Sequence, residues 1–453
     1  MGHTYDNPIN VSFRSLRLFR PRKSDWLLES AFLEETMLRK LAFGLLASAS
    51  ALLAAASYAA QAPSELKIGT LYATSGPFAS TSMQQYDGVK FWVDEMNARG
   101  GVYVKPYHKK VPIRLIAYDD QSNTATAATL DDQLITQDKV NILISDSTSV
   151  LTSVAVPIAR NHKMLLIDVT GGGTPFFSKD NPYIVLTAIP VTSLWPKYIV
   201  DFLATDGAKL GIRSVAMLYD TNDFTGTEAQ AVRNSLKALR SPLKLVYDHG
   251  VPTQTSSYTV IINNIRATHP DAVIEFGFPN NDIAYLRALQ ENGVTFNWQF
   301  ANFLGIDPVP IKKAVGVQGL KDLYSYVPPS LLAHNPNFGL TLAQYQTAWD
   351  HKYANDKVPF GHASVGGYMT GLVLQKALAR TQSMEQLALR KAIFSLSGKL
   401  RTLDGAFSLN AEGAQVGELL PLGQIRLTAN NGMKFAVVYP HAIATGKAIY
   451  PAK

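Results

Sequence analysis

The sequence predicts an α/β protein of two Rossmann-like lobes joined by a multi-strand hinge, and three observations predict it. Strand-like and helix-like segments alternate from Leu66 to Asp168. The same alternation restarts at Ser214 and runs to Asn302. The leading strand-like segment, Leu66 to Tyr72, is β-rich and apolar, as expected of a buried parallel strand. With 453 residues, 47% of them apolar and 17% charged, the chain is long and apolar enough for two cores.

The first unit is the most informative. Leu66 to Tyr72 reads as a buried strand that opens onto the turn Ser75-Gly76-Pro77-Phe78. From Met83 the apolar positions Tyr86, Val89, Val93 and Met96 recur at helical spacing, and Gly100-Gly101 stop the helix. A strand running into a Ser/Gly turn and a helix start aims unpaired N–H groups and a positive dipole end at one spot, which suits a carboxylate. Strands at Ile113 to Tyr118, Asn141 to Ser145 and Met164 to Asp168 follow, separated by helices at Thr124 to Gln137 and Val150 to Asn161.

The second series has strands at Ser214 to Tyr219, Lys244 to Asp248, Ala272 to Gly277 and Trp298 to Asn302. Its helices are Thr225 to Leu239, Ser257 to Thr268 and Asp282 to Glu291. Two similar parallel sheets place a ligand at the carboxyl ends of their strands, in the cleft between them. Three helical segments then follow in a row, Phe338 to Tyr353, Ser364 to Arg380 and Met384 to Ser395, before short strands near Phe407, Ile425 and Phe435. They are too few for a third lobe, so the helices are expected to cover the first lobe and the last strands to rejoin the second. With crossings near Ala188, Val327 and Asn410, the N-terminal lobe comprises residues 63–188 plus 328–410, and the C-terminal lobe 189–327 plus 411–445.

The first residues read as targeting sequence. Residues 37–62 combine Arg39 and Lys40, an Ala/Leu run from Leu41 to Ala56 and small residues around Ser57-Tyr58-Ala59, so a signal peptide cut near Ala59 is expected. A retained anchor is the alternative, since the run approaches the roughly 18 to 20 residues that span a bilayer. Residues 1–36 hold five basic and five acidic residues without apolar periodicity and read as an unstructured, mis-assigned upstream segment, with Met37 the expected start. Without the leader, the formal charge falls from +7 to about +5, scattered rather than clustered, so nucleic acid is not an expected partner. There is no cysteine, which excludes disulfides, thiol catalysis and cysteine-ligated metal.

Several motifs stand in a definite order: Ile68-Gly69, Ser75-Gly76-Pro77, Tyr86-Asp87-Gly88, Glu95-Met96-Asn97-Ala98-Arg99-Gly100-Gly101-Val102 and Tyr118-Asp119-Asp120-Gln121. Pro157, Asn181-Pro182-Tyr183 and His269-Pro270-Asp271-Ala272-Val273 continue it. In this order and spacing the chain resembles the leucine/isoleucine/valine-type periplasmic binding proteins that serve ABC importers, from Leu66 to about Tyr439. The resemblance implies the type I periplasmic binding protein fold, whose lobes close on a small solute and present the closed form to an ABC transporter permease in the inner membrane. It implies a periplasmic monomer without cofactor or metal. A soluble sensor that regulates a signalling partner with the same fold is the alternative; the tail from Asn430 to Lys453 holds no run that could span a membrane.

Counting back from Pro157, Thr148 and Ser149 fall where the family places its carboxylate-binding serines, beside Ser147. Hydroxyls and free N–H groups at a helix start can clamp a carboxylate without a cation, although capping alone also accounts for Ser and Thr there. Thr170-Gly171-Gly172-Gly173 resembles the family's small-residue shelf, with glycines able to take positive φ; a plain flexible loop is the alternative. Ser75, Phe78 and Tyr86 from the first unit, with Trp195, Phe224, Phe278 and Phe303, are the further candidates for the rim of the cleft. Core packing is the alternative for each aromatic.

Family members that bind amino acids present a tyrosine and an acidic residue from the second lobe. The matching stretches here read Asp220-Thr221-Asn222-Asp223-Phe224 and Phe300-Ala301-Asn302-Phe303-Leu304, with no carboxylate in the second. Asp146, Asp223 or Glu275 are candidates for that charge, as caps or loop residues otherwise. The missing acid and the aromatics favour an aromatic or other amine-free carboxylate over a branched-chain or other amino acid. No enzyme is expected: the nine histidines show no metal-ligand spacing, no Gly-x-Ser-x-Gly elbow occurs, and His351 and His362 read as surface histidines.

Overall fold

A computed structural model describes residues 62–332, 334–354, 358–430 and 432–451. The expected upstream segment and all of the expected signal peptide except Ala62 lie outside the described residues. The chain begins with β1 (Leu66–Tyr72), α1 (Ala79–Ala98), a hairpin of β2 (Val102–Val104) and β3 (Lys109–Val111), and β4 (Ile113–Asp119). It continues with α2 (Thr124–Thr136), β5 (Ile142–Ile144), α3 (Ser149–Asn161), β6 (Leu166–Asp168) and β7 (Ile184–Leu186). The first sheet has the order β4-β1-β5-β6-β7 and is parallel throughout.

The second series runs α4 (Lys197–Phe202), β8 (Ser214–Asp220), α5 (Thr225–Ala238), β9 (Lys244–Val251), α6 (Thr259–Ala267) and β10 (Ala272–Phe276). It closes with α7 (Pro279–Glu291), β11 (Gln299–Ala301), α8 (Pro308–Val315) and β12 (Tyr324–Tyr326). Its parallel part, β9-β8-β10-β11-β12, repeats the strand order of the first sheet. In each sheet the first strand sits between the second and the third, so the order reverses there. That switch point lies after β1 and β5 in one sheet and after β8 and β10 in the other, and ligands of open α/β sheets bind at such points.

The tail contains α9 (Leu342–Lys352), α10 (His362–Leu378), α11 (Gln386–Phe394), the hairpin β13 (Arg401–Thr402) and β14 (Gly405–Ala406), then β15 (Leu422–Thr428) and β16 (Gly432–Tyr439). The last two strands add antiparallel to β12 in the second sheet. Side chains of the three helices share one apolar core with β1, α1 and β5. Glycines let α10 lie directly on α1: a Cβ at Gly88 would sit 2.2 Å from the Ser364 carbonyl oxygen, and one at Gly367 2.2 Å from that of Gln85. This contact carries the first turn of α10 to the end of the first sheet.

Four differences from the sequence reading have simple causes. The strands β7 and β12 and the β2/β3 hairpin are only three residues each, too short for any periodicity to register. Helix α1 starts at Ala79 rather than Met83, because its first turn is polar and buried by hydrogen bonding: Ser82 Oγ donates to Asp146 at 2.6 Å and accepts from the Ala73 N–H at 2.7 Å.

Candidate functional site

The two switch points face one another across a narrow cavity, whose room for the centre of a water-sized sphere is about 30 Å³. Its polar wall comes from the first sheet and the helices on it: Thr81 and Gln84 of α1, Ser147 and Thr148 of the loop after β5, Thr170 after β6, and His362 at the start of α10. Its apolar wall comes from Ile189 and Trp195 after β7 and from the second sheet's loops, with Phe224, Phe278, Phe303 and Ile306. Among the described residues, no Lys, Arg, Asp or Glu lines it.

A short hydrogen-bond chain holds the polar wall. Gln85 donates to the Ser145 carbonyl at 2.9 Å and accepts from the Thr170 hydroxyl at 2.6 Å. The Thr148 N–H donates to Thr170 Oγ1 at 3.3 Å, and Ser147 Oγ lies 3.1 Å from it. Thr148 is the N-cap of α3, yet its side chain makes no capping bond. Its Oγ1 is buried without a hydrogen-bond partner among the described residues, and its φ of 76° with ψ of 149° is a strained conformation for a β-branched residue. Capping therefore does not account for this threonine. The first-turn N–H groups of α3 have no intrahelical acceptor, and the positive end of its dipole adds to theirs.

The apolar wall is an aromatic box. The rings of Trp195 and Phe224 meet edge to face at 4.8 Å, Phe224 and Phe278 stack at 5.8 Å, and Phe278 and Phe303 lie 5.4 Å apart. Trp195 Nε1 donates to the Pro190 carbonyl at 2.8 Å, so the indole offers the cavity only its apolar faces. Phe78 of the first lobe reaches Phe278 of the second, with centroids 5.2 Å apart. This pair separates the cavity from an outer groove that Pro77, Phe78 and Phe278 also line. Phe224, Phe278 and Phe303 keep 3%, 2% and 6% of their surface exposed, so the aromatic wall is closely packed.

Of the sequence candidates, the structure brings together Ser147, Thr148, Thr170, Trp195, Phe224, Phe278 and Phe303. Phe78 stands at the mouth. Ser149 and the glycines form a second layer: Ser149 Oγ accepts from the Gly173 N–H at 3.0 Å, and Asp168 from the Gly171 N–H at 2.8 Å. None of Gly171, Gly172 and Gly173 has positive φ. They are small because protein packs on them: a Cβ on Gly171 would sit 2.2 Å from Thr152 Oγ1, and one on Gly173 2.8 Å from the Phe176 ring. Ser75 is exposed, and its carbonyl accepts from the Ser122 hydroxyl at 2.7 Å. Tyr86 packs on Tyr72, with centroids 4.8 Å apart, and does not line the cavity.

Three corrections concern charge. Asp146 is buried, accepts from Ser82 and pairs with Asp120; Glu275 is buried on β10 and bonded to Asp282; Asp223 is exposed. None of them lines the cavity. The carboxylate that meets the first turn of α1 is the protein's own: Asp307, from the loop after β11, faces Ser80 and Gln84. His362 is no surface residue, being 5% exposed in the cavity wall. Sequence reasoning also passed over Thr81 and Gln84. Their signal was present in the helical spacing, since Thr81 follows Phe78 by three residues and Gln84 follows Thr81 by three.

Behind both walls lie carboxyl groups without cationic partners. Burial raises Asp131 to about 8, helped by Asp120, and raises Asp168 to about 7. In the second lobe, burial and Glu275 raise Asp220 to about 9, and burial lifts Asp282 to about 8. These groups scaffold the aromatic box, Asp282 accepting the Phe303 N–H at 2.9 Å. A carboxyl whose folded pKa exceeds its unfolded value binds its proton more tightly when folded. Its contribution is therefore fully present below about pH 4 and is lost as pH rises toward the folded value. The melting temperature is expected to fall between pH 6.5 and 8, a range that avoids charging the buried His362. Asp131→Asn is expected to flatten the slope by up to about 1.4 kcal/mol per pH unit. Stability that rises with pH over this range would contradict the protonated carboxyls.

Comparison with known proteins agrees with this architecture. Residues 65–432 match the family described as "Periplasmic binding protein". The chain is 23% identical over 353 residues to Leu/Ile/Val-binding protein homolog 7 of Brucella melitensis biotype 1, covering 76% of this chain and 84% of that one. Among solved structures it resembles LivJ of Streptococcus pneumoniae, a branched-chain amino acid transporter substrate binding protein in complex with isoleucine. That match has a TM-score of 0.67 and 18% identity over 82% of this chain and 99% of the other. A solute binding protein of an R. palustris ABC transporter, in complex with benzoate, matches with a TM-score of 0.66 and 17% identity over 85% and 98% of the two chains. At these identities the structural likeness speaks for the fold, which is the one the resemblance implied.

Proposed function

The chain belongs to the periplasmic binding protein family, and from that premise we propose that it is the solute-capturing component of an ABC importer. It works in the periplasm as a monomer after export by the 37–62 leader and delivers its solute to an inner-membrane permease. The lobes hinge about crossings near Ala188, Val327 and Asn410 and close on a small carboxylate with an aromatic or bulky apolar body that carries no amino group. The observation that supports this reading is the cavity's division into two walls without a charged side chain. Hydroxyls and helix N–H groups on one wall suit a carboxylate, and the aromatic box on the other suits a ring. The benzoate held by the R. palustris relative favours the same class of ligand.

A thermal-shift screen of aromatic acids, aliphatic acids, amino acids and neutral amides tests the proposal. A ligand at a hundred times its dissociation constant stabilises by about 2.7 kcal/mol. Benzoate or a related acid is expected to raise the melting temperature clearly. A panel in which only leucine and isoleucine do so would refute it.

A further inference from the structure

We propose that His362 sets the carboxylate specificity of the cavity, its Nε2–H donating to one oxygen of the solute's carboxylate. The inference rests on the carboxylate reading above and adds a residue that the hydroxyl-bearing turns do not supply.

The geometry fixes the ring. His362 is the first residue of α10 and lines the cavity, and its Nδ1 lies 2.6 Å from the hydroxyl of Ser330. Ser330 is fully buried, and among the described residues Nδ1 is the only hydrogen-bond partner of its hydroxyl. If that hydroxyl accepted from an Nδ1–H, its own hydrogen would be stranded in the interior, which costs about 1–3 kcal/mol. The arrangement that satisfies both groups has Ser330 donating to Nδ1, and a neutral imidazole then carries its proton on Nε2. Among the described residues Nε2 makes no hydrogen bond, and His362 lines the cavity, so its donor is left to the cavity.

Burial keeps the ring neutral near pH 7, pushing its pKa down to about 4. Of the titratable groups on the neighbouring elements, Asp307 faces Ser80 and Gln84, with its Oδ2 buried and unpartnered among the described residues, Asp87 of α1 has partners of its own, and His334 bonds to the Pro329 carbonyl at 2.8 Å. A neutral donor at the start of a 17-residue helix, with the positive dipole end behind it, favours an anion without burying a full charge. It stands on the same polar wall as the partnerless Thr148 hydroxyl, so two donors from different helices are directed at one ligand group.

The test is calorimetry with benzoate on the full chain, comparing wild type, His362→Gln and the double variant Ser330→Ala with His362→Leu. The double variant removes both partners together, so no buried hydroxyl is orphaned and the fold is kept. Its affinity for benzoate is expected to fall at least about tenfold with an unchanged melting temperature, while His362→Gln, which retains a donor, stays within about threefold of wild type. Wild-type affinity in the double variant, or a His362→Gln variant as weak as the double, overturns the proposal. Failure of the wild type to bind any carboxylate overturns the functional reading and this inference together, and it is seen before any variant is made.

Discussion

Thr148→Val is expected to cost the protein most of its affinity for a carboxylate while leaving the empty protein at least as stable. The two halves of that expectation share one cause. Thr148 lines the cavity, and its Oγ1 is buried with no hydrogen-bond partner among the described residues. Its desolvation is an uncompensated cost to the fold of about 1–3 kcal/mol, which an apolar isostere of the same shape relieves. Valine keeps the β-branch at this strained backbone position, so the conformational cost there is unchanged. A hydrogen bond to a charged group contributes about 1.5–3 kcal/mol, so losing it weakens carboxylate binding roughly 10- to 150-fold. Adding Ser149→Ala removes the hydroxyl that holds the Gly173 loop behind the cavity wall and is expected to abolish the thermal shift altogether. That residue differs in kind, because its oxygen already accepts the Gly173 N–H; its replacement lowers the melting temperature as well as the affinity. A Thr148→Val protein with wild-type affinity for every carboxylate in the screen would remove this residue from the site.

How far the site was legible depended on whether its parts were local. The alternating strands and helices and the switch-point loops follow from short-range pattern, whereas Thr148 was a candidate through the family resemblance, by its distance from Pro157, and Phe224 and Phe278 as aromatics expected at the rim of the cleft; all three line the cavity. The anion-friendly start of α1 was legible too, but its occupant was not: Asp307 arrives from a loop after β11, in the other sheet. Nothing near Ser75 to Phe78 announces it. His362 was misread for the same reason, since its burial depends on glycine-mediated packing of α10 on α1. The glycines after β6 were read as room for a ligand, and the room is taken by Thr152 and Phe176. A glycine signals close approach in a sequence, and only the fold says of what.

L-Phenylalanine is expected to bind at least about a hundredfold more weakly than 3-phenylpropanoate, and L-leucine similarly more weakly than 4-methylpentanoate. Each pair differs only by the α-ammonium group, so shape and apolar burial cancel. Taking an ammonium out of water costs several kcal/mol unless a counter-charge meets it, and among the described residues no acidic side chain lines this cavity. The aromatic box offsets part of that cost, since a cation over a desolvated ring gains up to about 2 kcal/mol. The remainder still favours the amine-free acid by two decades or more. Asp307, next in sequence to the cavity residue Ile306, is the acid that could change the sign of this result, and burial works against it by raising its pKa. Calorimetry on both pairs decides the matter: equal affinities would mean that a counter-charge reaches the ammonium, and Asp307→Asn would then be the variant to lose the amino acid while keeping the acid. A large gap that Asp307→Asn leaves untouched would place the discrimination in the absence of an acid from the second-lobe wall, where Phe303 stands.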